Sequence, residues 1–403
     1  MTLSLLAFSS FLFFEHSSKG AGAVKISEQN IPTASPTQLL SWYDRCGRDL
    51  PWRSASGSRN DPYRVWLSEV MLQQTTVAAT IPYYHNFLTR WPNLRAFASA
   101  SESEILSAWA GLGYYARARN MHRCAKILVE QFDARFPESE EDLRTLPGVG
   151  VYTAAAIMAI AFQRPANVVD GNVERVMARI YAFEEPLPDG GANLRKLAGK
   201  HASDSAAIAR PGDYAQALMD LGATICTPRR PQCLLCPWRE SCLGFALKIA
   251  ETLPRRAQKP ERPTRCGRAY WLSAPNGTIL LFRRPARGLL GGMIGLPSSA
   301  WRSSLGGDAL PDIPPEPVGF EAAAWMVAWR SLSGVVRHSF THFHLELTGC
   351  VGHLSTVAGL QQVTQNFPDG VWISPEEIDD QGLPTLMRKA VAHAHKKTNA
   401  SRG

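Results

Sequence analysis

No part of the chain is long and apolar enough to span a bilayer. The most apolar stretch, Thr2–Phe14 (TLSLLAFSSFLFF), is too short, and no Lys or Arg precedes it as a signal peptide requires. Residues 1–35 are therefore expected to be a disordered extension, and a membrane is not expected as a partner. Acidic residues are the scarcer charge, 35 against 43 Lys and Arg, which leaves a net charge of +8. A basic balance suits a polyanion such as DNA, because binding releases condensed counterions; a merely soluble basic protein shares it. Cysteines number eight; four crowd between Cys226 and Cys242 while Cys46, Cys124, Cys266 and Cys350 are scattered. That distribution excludes a secreted disulfide framework and points to a metal or cluster site in a reducing compartment. No internal repeat is present.

What is present fills more than one domain. A length of 403 residues predicts two or three, and 45% hydrophobic residues is ample for their cores. The first half reads as short helices. Asp61-Pro62 places a capping residue before a Pro at the first helical position, and TAAAIMAIAF (153–162) continues the helical text. From 254 to 265 the text changes to PRRAQKPERPTR, an extended linker. Strand-like runs follow: TILLF (278–282), FTHFHLEL (340–347) and GVWI (370–373). The second half is therefore a smaller mixed α/β domain.

Cys226, Cys233, Cys236 and Cys242 are separated by six, two and five residues. A zinc ribbon would usually show two CxxC pairs set farther apart. Four thiols in one short loop must wrap a compact object, and a cubane [4Fe–4S] cluster fits, with structural zinc as the alternative. Arg229, Arg230 and Arg239 decorate the loop, as phosphate grips or as solvated surface.

EEDLRTLPGVGVYTAAAIMAI (140–160) reads as helix, tight turn and helix. Gly148 and Gly150 allow tight backbone geometry and close approach of another chain, and the second helix's free N–H groups can meet a phosphate; an ordinary helical connector reads the same way. Glu69 lies in PYRVWLSEVMLQQTT, and on a helix its neighbours are Val65, Trp66 and Leu72. A carboxyl on an apolar stripe holds its proton toward neutral pH; a buried ion pair is the alternative. Asp170, in VVDGNVERV, precedes another helix. It, or Asn172, is a natural N-cap, and beside a glycine and a helix start Asp170 is expected to carry charge. One carboxyl that donates a proton and one that faces a cation are what glycosidic cleavage needs.

Taken together, the cysteine loop, the LPGVG hairpin and the downstream Asp resemble the helix–hairpin–helix DNA glycosylase superfamily. WLSEVMLQQT (66–75), GLGYYARARN (111–120), DGNVERV (170–176) and ALMDLGATICT (217–227) are similar to the MutY adenine glycosylases within it. The resemblance runs from about Leu50 to the end of the chain. RRPARGLLGGMIGLP (283–297) and HSFTHFHLEL (338–347) are similar to that family's MutT-like, Nudix-fold C-terminal domain, with Leu290 where Trp is common and Thr341 where Ser is usual. No REXXEE-type metal motif is present, so that domain is expected to recognise a lesion and not to hydrolyse nucleotides.

The resemblance implies a mainly α helix–hairpin–helix glycosylase with an iron–sulfur loop, followed by a smaller α/β Nudix-like domain. Its expected parts are 36–250 (helical glycosylase domain, hairpin 140–162, cluster loop 226–242), 251–265 (linker), 266–395 (lesion-recognition domain) and 396–403 (tail). It implies removal of adenine opposite 8-oxoguanine or guanine in double-stranded DNA, by a monomer in the bacterial-type cytoplasm, at the nucleoid. Glu69 protonates adenine and then positions water, Asp170 stabilises the cationic sugar, and Tyr152 and Asn172 sit beside them. Trp52, Arg53, Leu72 and Gln216 line the pocket for the flipped base, and Gln74 and Tyr114 wedge into the duplex. Gly148 and Gly150 meet the backbone, Thr341 and His342 read the oxidised guanine, and the four cysteines hold the [4Fe–4S] cluster. Endonuclease III-type enzymes carry a Schiff-base Lys two residues after the second hairpin Gly. Tyr152 stands there in this chain, which implies hydrolysis without strand cleavage.

Overall fold

The computed structural model describes residues 34–54, 60–258, 261–285, 288–303, 327–367, 369–378 and 381–399. The expected extension before Ala34, the end of the expected tail after Asn399 and two residues of the 283–297 motif lie outside them. The first part is helical: α1 (Pro36–Cys46), α2 (Pro62–Leu72), α3 (Val77–Arg90), α4 (Leu94–Ser99), α5 (Glu102–Ala108), α6 (Ala116–Gln131), α7 (Glu140–Thr145), α8 (Val151–Ala156), α9 (Gly171–Ile180), α10 (Gly191–Ala202), α11 (Ser205–Ala209), α12 (Pro211–Asp220) and α13 (Leu243–Ala246). Their starts follow local chemistry. Asp61, Thr76, Asn93, Ser101, Ser139, Asp170 and Asp204 each accept a backbone N–H that the helix would otherwise leave unpaired.

Two helices loosen where they pass the site. α8 runs on as a π-turn over Ile157–Ala161, and α12 as another over Leu221–Ile225. The helical text expected over 153–162 is thus an α-helix running into a π-turn. Such turns insert a residue into the ladder and re-aim the side chains around it. One core gathers around Trp66, Phe87, Phe97 and Trp109; a second joins α1, α9 and α12 to Trp238.

Among the described residues, the last part forms a seven-stranded sheet with β1 (Thr264–Ser273), β2 (Ile279–Arg283), β3 (Ile294–Gly295), β4 (Arg302–Ser303), β5 (Arg330–Ser339), β6 (His344–His353) and β7 (Gly370–Ile373). The order is β3-β2-β1-β6-β5; β7 pairs with β2 and β4 with β1. β1 and β6 run parallel, from Thr264 opposite His344 to Ser273 opposite His353. Alternation along β1 sends Trp271 into one core and Tyr270 and Leu272 into another. α14 (Val357–Asn366) precedes β7, and α15 (Thr385–Asn399) closes the sheet, running into residues expected to be tail.

Two further readings are corrected. The strand expected over 340–347 begins only at His344. Phe340–Phe343 instead form the hairpin tip, where the Phe340 N–H donates to the Phe343 carbonyl at 2.9 Å and the two rings pack 4.8 Å apart. The spacing of those rings imitates a strand. The segment expected to be a free linker is tied to the helical part near its start. The Leu187 N–H donates to the Arg255 carbonyl and the Ala257 N–H to the Leu187 carbonyl, each at 2.9 Å, and Arg255 pairs with Glu184.

Candidate active site

α2 enters the protein interior almost whole: from Tyr63 to Met71 only Arg64 escapes burial. Glu69 is thus enclosed on more sides than a single apolar stripe would give, with 6% of its surface exposed. Its Oε2 accepts the Tyr152 hydroxyl at 2.5 Å. Burial pushes the Glu69 carboxyl up to about 7, and the charge of Asp170 adds to this; the Tyr152 hydrogen bond and the Arg53 charge pull the other way. Burial, and then the Glu69 and Asp170 charges, hold the Tyr152 hydroxyl protonated far above its ordinary range.

Asp170 is the N-cap of α9, and its carboxylate faces the cavity as well. Oδ1 accepts the Asn172 and Val173 N–H groups at 2.9 and 2.8 Å, and Oδ2 accepts the Asn172 side-chain amide at 2.7 Å. Three donors thus meet one carboxyl at the start of α9. Asp170 is thus at once the N-cap of α9 and part of the cavity wall. Arg175 was not singled out in the sequence. It donates to Asn172 Oδ1 at 2.8 Å and to the carbonyls of Gly222 and Cys226 at 2.7 and 2.8 Å. Its sequence signal is its four-residue spacing from Arg179, one turn along α9.

One cavity of about 580 Å³ collects Trp52, Arg53, Glu69, Leu72, Gln74, Tyr152, Asp170, Asn172 and Gln216. Trp52 meets Tyr84 edge to face, with ring centres 5.4 Å apart. Gln216 donates to the Gly212 carbonyl at 3.2 Å. Arg53 is not free in the wall. Both its terminal nitrogens bind Asp220 at 2.7 Å, and Arg48 joins through Nε at 2.7 Å. Asp220 is fully buried. Burial works to raise its carboxyl, but the hydrogen bonds and charges of Arg53 and Arg48 outweigh this and hold it below its ordinary range. Asp220 also went unassigned in the sequence; its signal is a lone acid inside the apolar ALMDLGA.

A second cavity of about 640 Å³ lies between the helical part and the sheet, lined by Tyr114, Leu290, Thr341 and His342, and it shares Gln73 and Gln74 with the first. Gln74 and Tyr114 sit at φ 57° and 48°, a left-handed conformation that bulky side chains adopt only when their surroundings impose it. The Tyr114 and Thr341 hydroxyls stand 3.4 Å apart. The hairpin glycines line neither cavity. Gly148 (φ 79°) has no room for a side chain, since a Cβ there would lie 2.8 Å from Asn120; the Cβ position of Gly150 faces open space.

Cys226, Cys233, Cys236 and Cys242 line a third cavity, walled by Val176, Leu221, Ile225 and Phe245. Arg179 reaches Cys226 Sγ at 3.2 Å, and backbone amides of Trp238, Gly244 and Phe245 hydrogen-bond Cys236 and Cys242. Among the described residues, no three His, Cys, Asp or Glu side chains are grouped so as to hold a metal ion. An all-thiol set with N–H donors aimed at sulfur in an apolar pocket fits a cluster that brings its own sulfides.

Residues 67–197 match the HhH-GPD superfamily of base excision DNA repair proteins, and residues 268–393 match the NUDIX domain. An adenine DNA glycosylase of Homo sapiens is 37% identical over 409 residues, covering 89% of this chain and 73% of that protein. One from Rattus norvegicus is 34% identical over 408 residues, covering 89% and 77%. One from Mycolicibacterium smegmatis (strain ATCC 700084 / mc(2)155) is 40% identical over 230 residues, covering 56% and 74%. The chain is thus a base-excision DNA glycosylase with a Nudix-like C-terminal part. Within that class, the chain belongs to the adenine DNA glycosylase family.

Proposed function

We propose that the chain hydrolyses the N-glycosidic bond of adenine opposite 8-oxoguanine or guanine in double-stranded DNA, leaving the strand intact. The observation that carries this reading is Glu69, a buried carboxyl that keeps its proton to about pH 7 in a cavity lined also by the Asp170 carboxylate. Adenine turned out of the duplex enters among Trp52, Arg53, Leu72 and Gln216, at an unstacking cost of a few kcal/mol. Glu69 gives its proton to adenine N7. The bond from C1′ to the base breaks, and its electron pair leaves with the base. Asp170 keeps its charge and faces the oxocarbenium sugar, while Glu69, now anionic, takes a proton from the attacking water. Tyr152 and Asn172 hold the two carboxyls in place. Tyr152 has no amine, so no Schiff base forms and no strand cleavage follows.

In the same reading, residues 36–250 carry the chemistry, 251–265 connect, and 266–395 read the base opposite, through Thr341 and His342. Gln74 and Tyr114 wedge the duplex, and Gly148 and Gly150 let its backbone come close. Cys226, Cys233, Cys236 and Cys242 hold a [4Fe–4S] cluster, which when bound cross-links the 226–242 loop. The enzyme acts as a monomer on chromosomal DNA in a bacterial-type cytoplasm; no helix among the described residues is long and apolar enough to cross a membrane.

The test is a panel of duplexes bearing A opposite 8-oxoguanine, A opposite G, or thymine glycol, with and without alkali. Free adenine and strand breaks that appear only after alkali are expected from the first two. Breaks without alkali, borohydride trapping, or cutting at thymine glycol would overturn the reading.

A further inference from the structure

The sheet domain is joined to the helical domain by more than its linker. Met293 is 2% exposed and belongs to the core of the helical domain, and Leu290 packs against both that core and the sheet's. Both lie in the turn 288–293, a tightly closed piece of backbone. The Gly292 N–H bonds the Arg284 and Pro285 carbonyls at 3.1 and 3.0 Å, the Met293 N–H bonds Leu290 at 3.1 Å, and Arg283 holds the Gly292 carbonyl at 2.9 Å. This leaves the buried Gly291 carbonyl pointing outward from the turn, and Arg119 of α6 donates to it. Gly292 (φ 71°) brings the turn close: a Cβ there would lie 3.5 Å from Glu102 and 3.9 Å from Arg119.

α6 grips in a second direction two residues earlier. Arg117 donates to the Val70, Met71 and Gln73 carbonyls at 2.9, 2.9 and 2.5 Å, and to those of Leu112 and Gly113 at 3.1 and 3.3 Å. One guanidinium thus ties the turn that carries Gln74 to the turn that carries Tyr114. The start of α6 is bonded on one side to the adenine cavity and on the other to the sheet domain.

We propose that Arg119 is a positioning residue for discrimination of the opposite base: by holding the 288–293 turn on α6, it sets the Tyr114–Thr341 gap before DNA arrives. This rests on the reading that the sheet domain senses the base opposite adenine. Arg119 acts through the Gly291 carbonyl, and α6 carries the constraint to the wedge turns through Arg117.

Single-turnover excision of A opposite 8-oxoguanine and of A opposite G is compared for full-length holoenzyme carrying wild-type sequence, Arg119→Ala, Arg119→Lys or Thr341→Val. Hydrogen exchange of the Gly291–Met293 amides is followed in the same DNA-free proteins. Loss of a charged donor to a buried carbonyl is expected to reduce the 8-oxoguanine rate about tenfold more than the guanine rate. Exchange in the turn accelerates in Arg119→Ala, and Arg119→Lys, whose ammonium can still donate, recovers most of both effects. Equal loss of the two rates in Arg119→Ala, or unchanged exchange in the turn, overturns the proposal whatever Thr341→Val does. If Thr341→Val leaves the preference intact while Arg119→Ala lowers it, the clamp stands and the assignment of Thr341 falls. If only Thr341→Val lowers it, the assignment stands and the clamp falls. Arg119→Gln, which keeps an N–H donor without the charge, serves the same comparison should Arg119→Ala not fold.

Discussion

The two large cavities are close in size, about 580 and 640 Å³, and they meet at Gln73 and Gln74. Their walls are built differently. The cavity around Glu69 is held by hydrogen-bonded polar groups: Glu69 with Tyr152, Asp170 with two backbone N–H groups and Asn172, and Arg53 and Arg48 with the buried Asp220. In the second cavity, Tyr114, Thr341 and His342 are exposed, and the wall is shared by the helical part and the sheet part. A proton donor has to be desolvated to keep its proton, and Glu69 is buried. In the proposed reading, the second cavity receives the base opposite adenine and so has to stay open to the duplex. That contrast can be broken experimentally at several points.

The largest effect is expected from Glu69→Gln, which keeps the shape and removes the transferable proton. Single-turnover excision should fall by about 10²–10⁴-fold while duplex binding persists. Near wild-type turnover would take Glu69 out of the mechanism. Asp220→Asn comes next, on stability. It leaves the Arg53 and Arg48 guanidiniums without their buried anion, and a loss of about 3–5 kcal/mol is expected in denaturant unfolding. A loss below about 1 kcal/mol would show that the cavity wall does not depend on this charge cluster.

The pH dependence sharpens the same point. With Glu69 raised to about 7, the rate should be flat below that pH and fall about tenfold per unit above it. Stability carries the matching sign. Below the ordinary value of 4.5, Glu69 is neutral in both folded and unfolded chains. Between there and about 7 the unfolded chain sheds the proton while the folded one keeps it, so folding weakens as pH rises, and the loss is complete above about 7. Glu69→Gln lacks this loss; its melting temperature should pull ahead of wild type across that window. Parallel melting curves would refute the buried-acid assignment.

Cys236→Ser addresses a third region. Wild-type protein should be yellow-brown, absorb broadly near 400 nm as cubane clusters do, and carry about four irons per chain. The variant should lose iron, DNA affinity and folding yield ahead of the chemical step; colourless wild-type protein with stoichiometric zinc would decide for the alternative metal. The smallest effect is expected from Thr341→Val, which removes a hydroxyl at nearly constant shape. Preference for 8-oxoguanine over guanine should drop by up to about tenfold, with Thr341→Ser close to wild type. Equal change in both rates would reduce the sheet domain's role to general DNA affinity.

Much of this molecule was decided locally and is therefore legible in the chain. Helix starts at Asp61, Ser139 and Asp170 follow from side chains that cap their own backbone. Apolar neighbours three and four residues away on the same helix mark Glu69 as a carboxyl bound for the interior, and the spacing marks the cysteine loop; the enclosure that raises Glu69 comes from the whole fold. Where sequence reasoning failed, the cause was long range. Phe340 and Phe343 imitate a strand because ring spacing does not reveal that the chain reverses there. Residues Leu187 and Arg255–Ala257 pair across the fold, which linker composition cannot show. Asp220 binds Arg53 167 residues away, and Arg119 binds Gly291 172 residues away. A buried charge is tolerable only where a distant partner arrives to meet it, so only the tertiary structure could decide that Asp220 belongs inside.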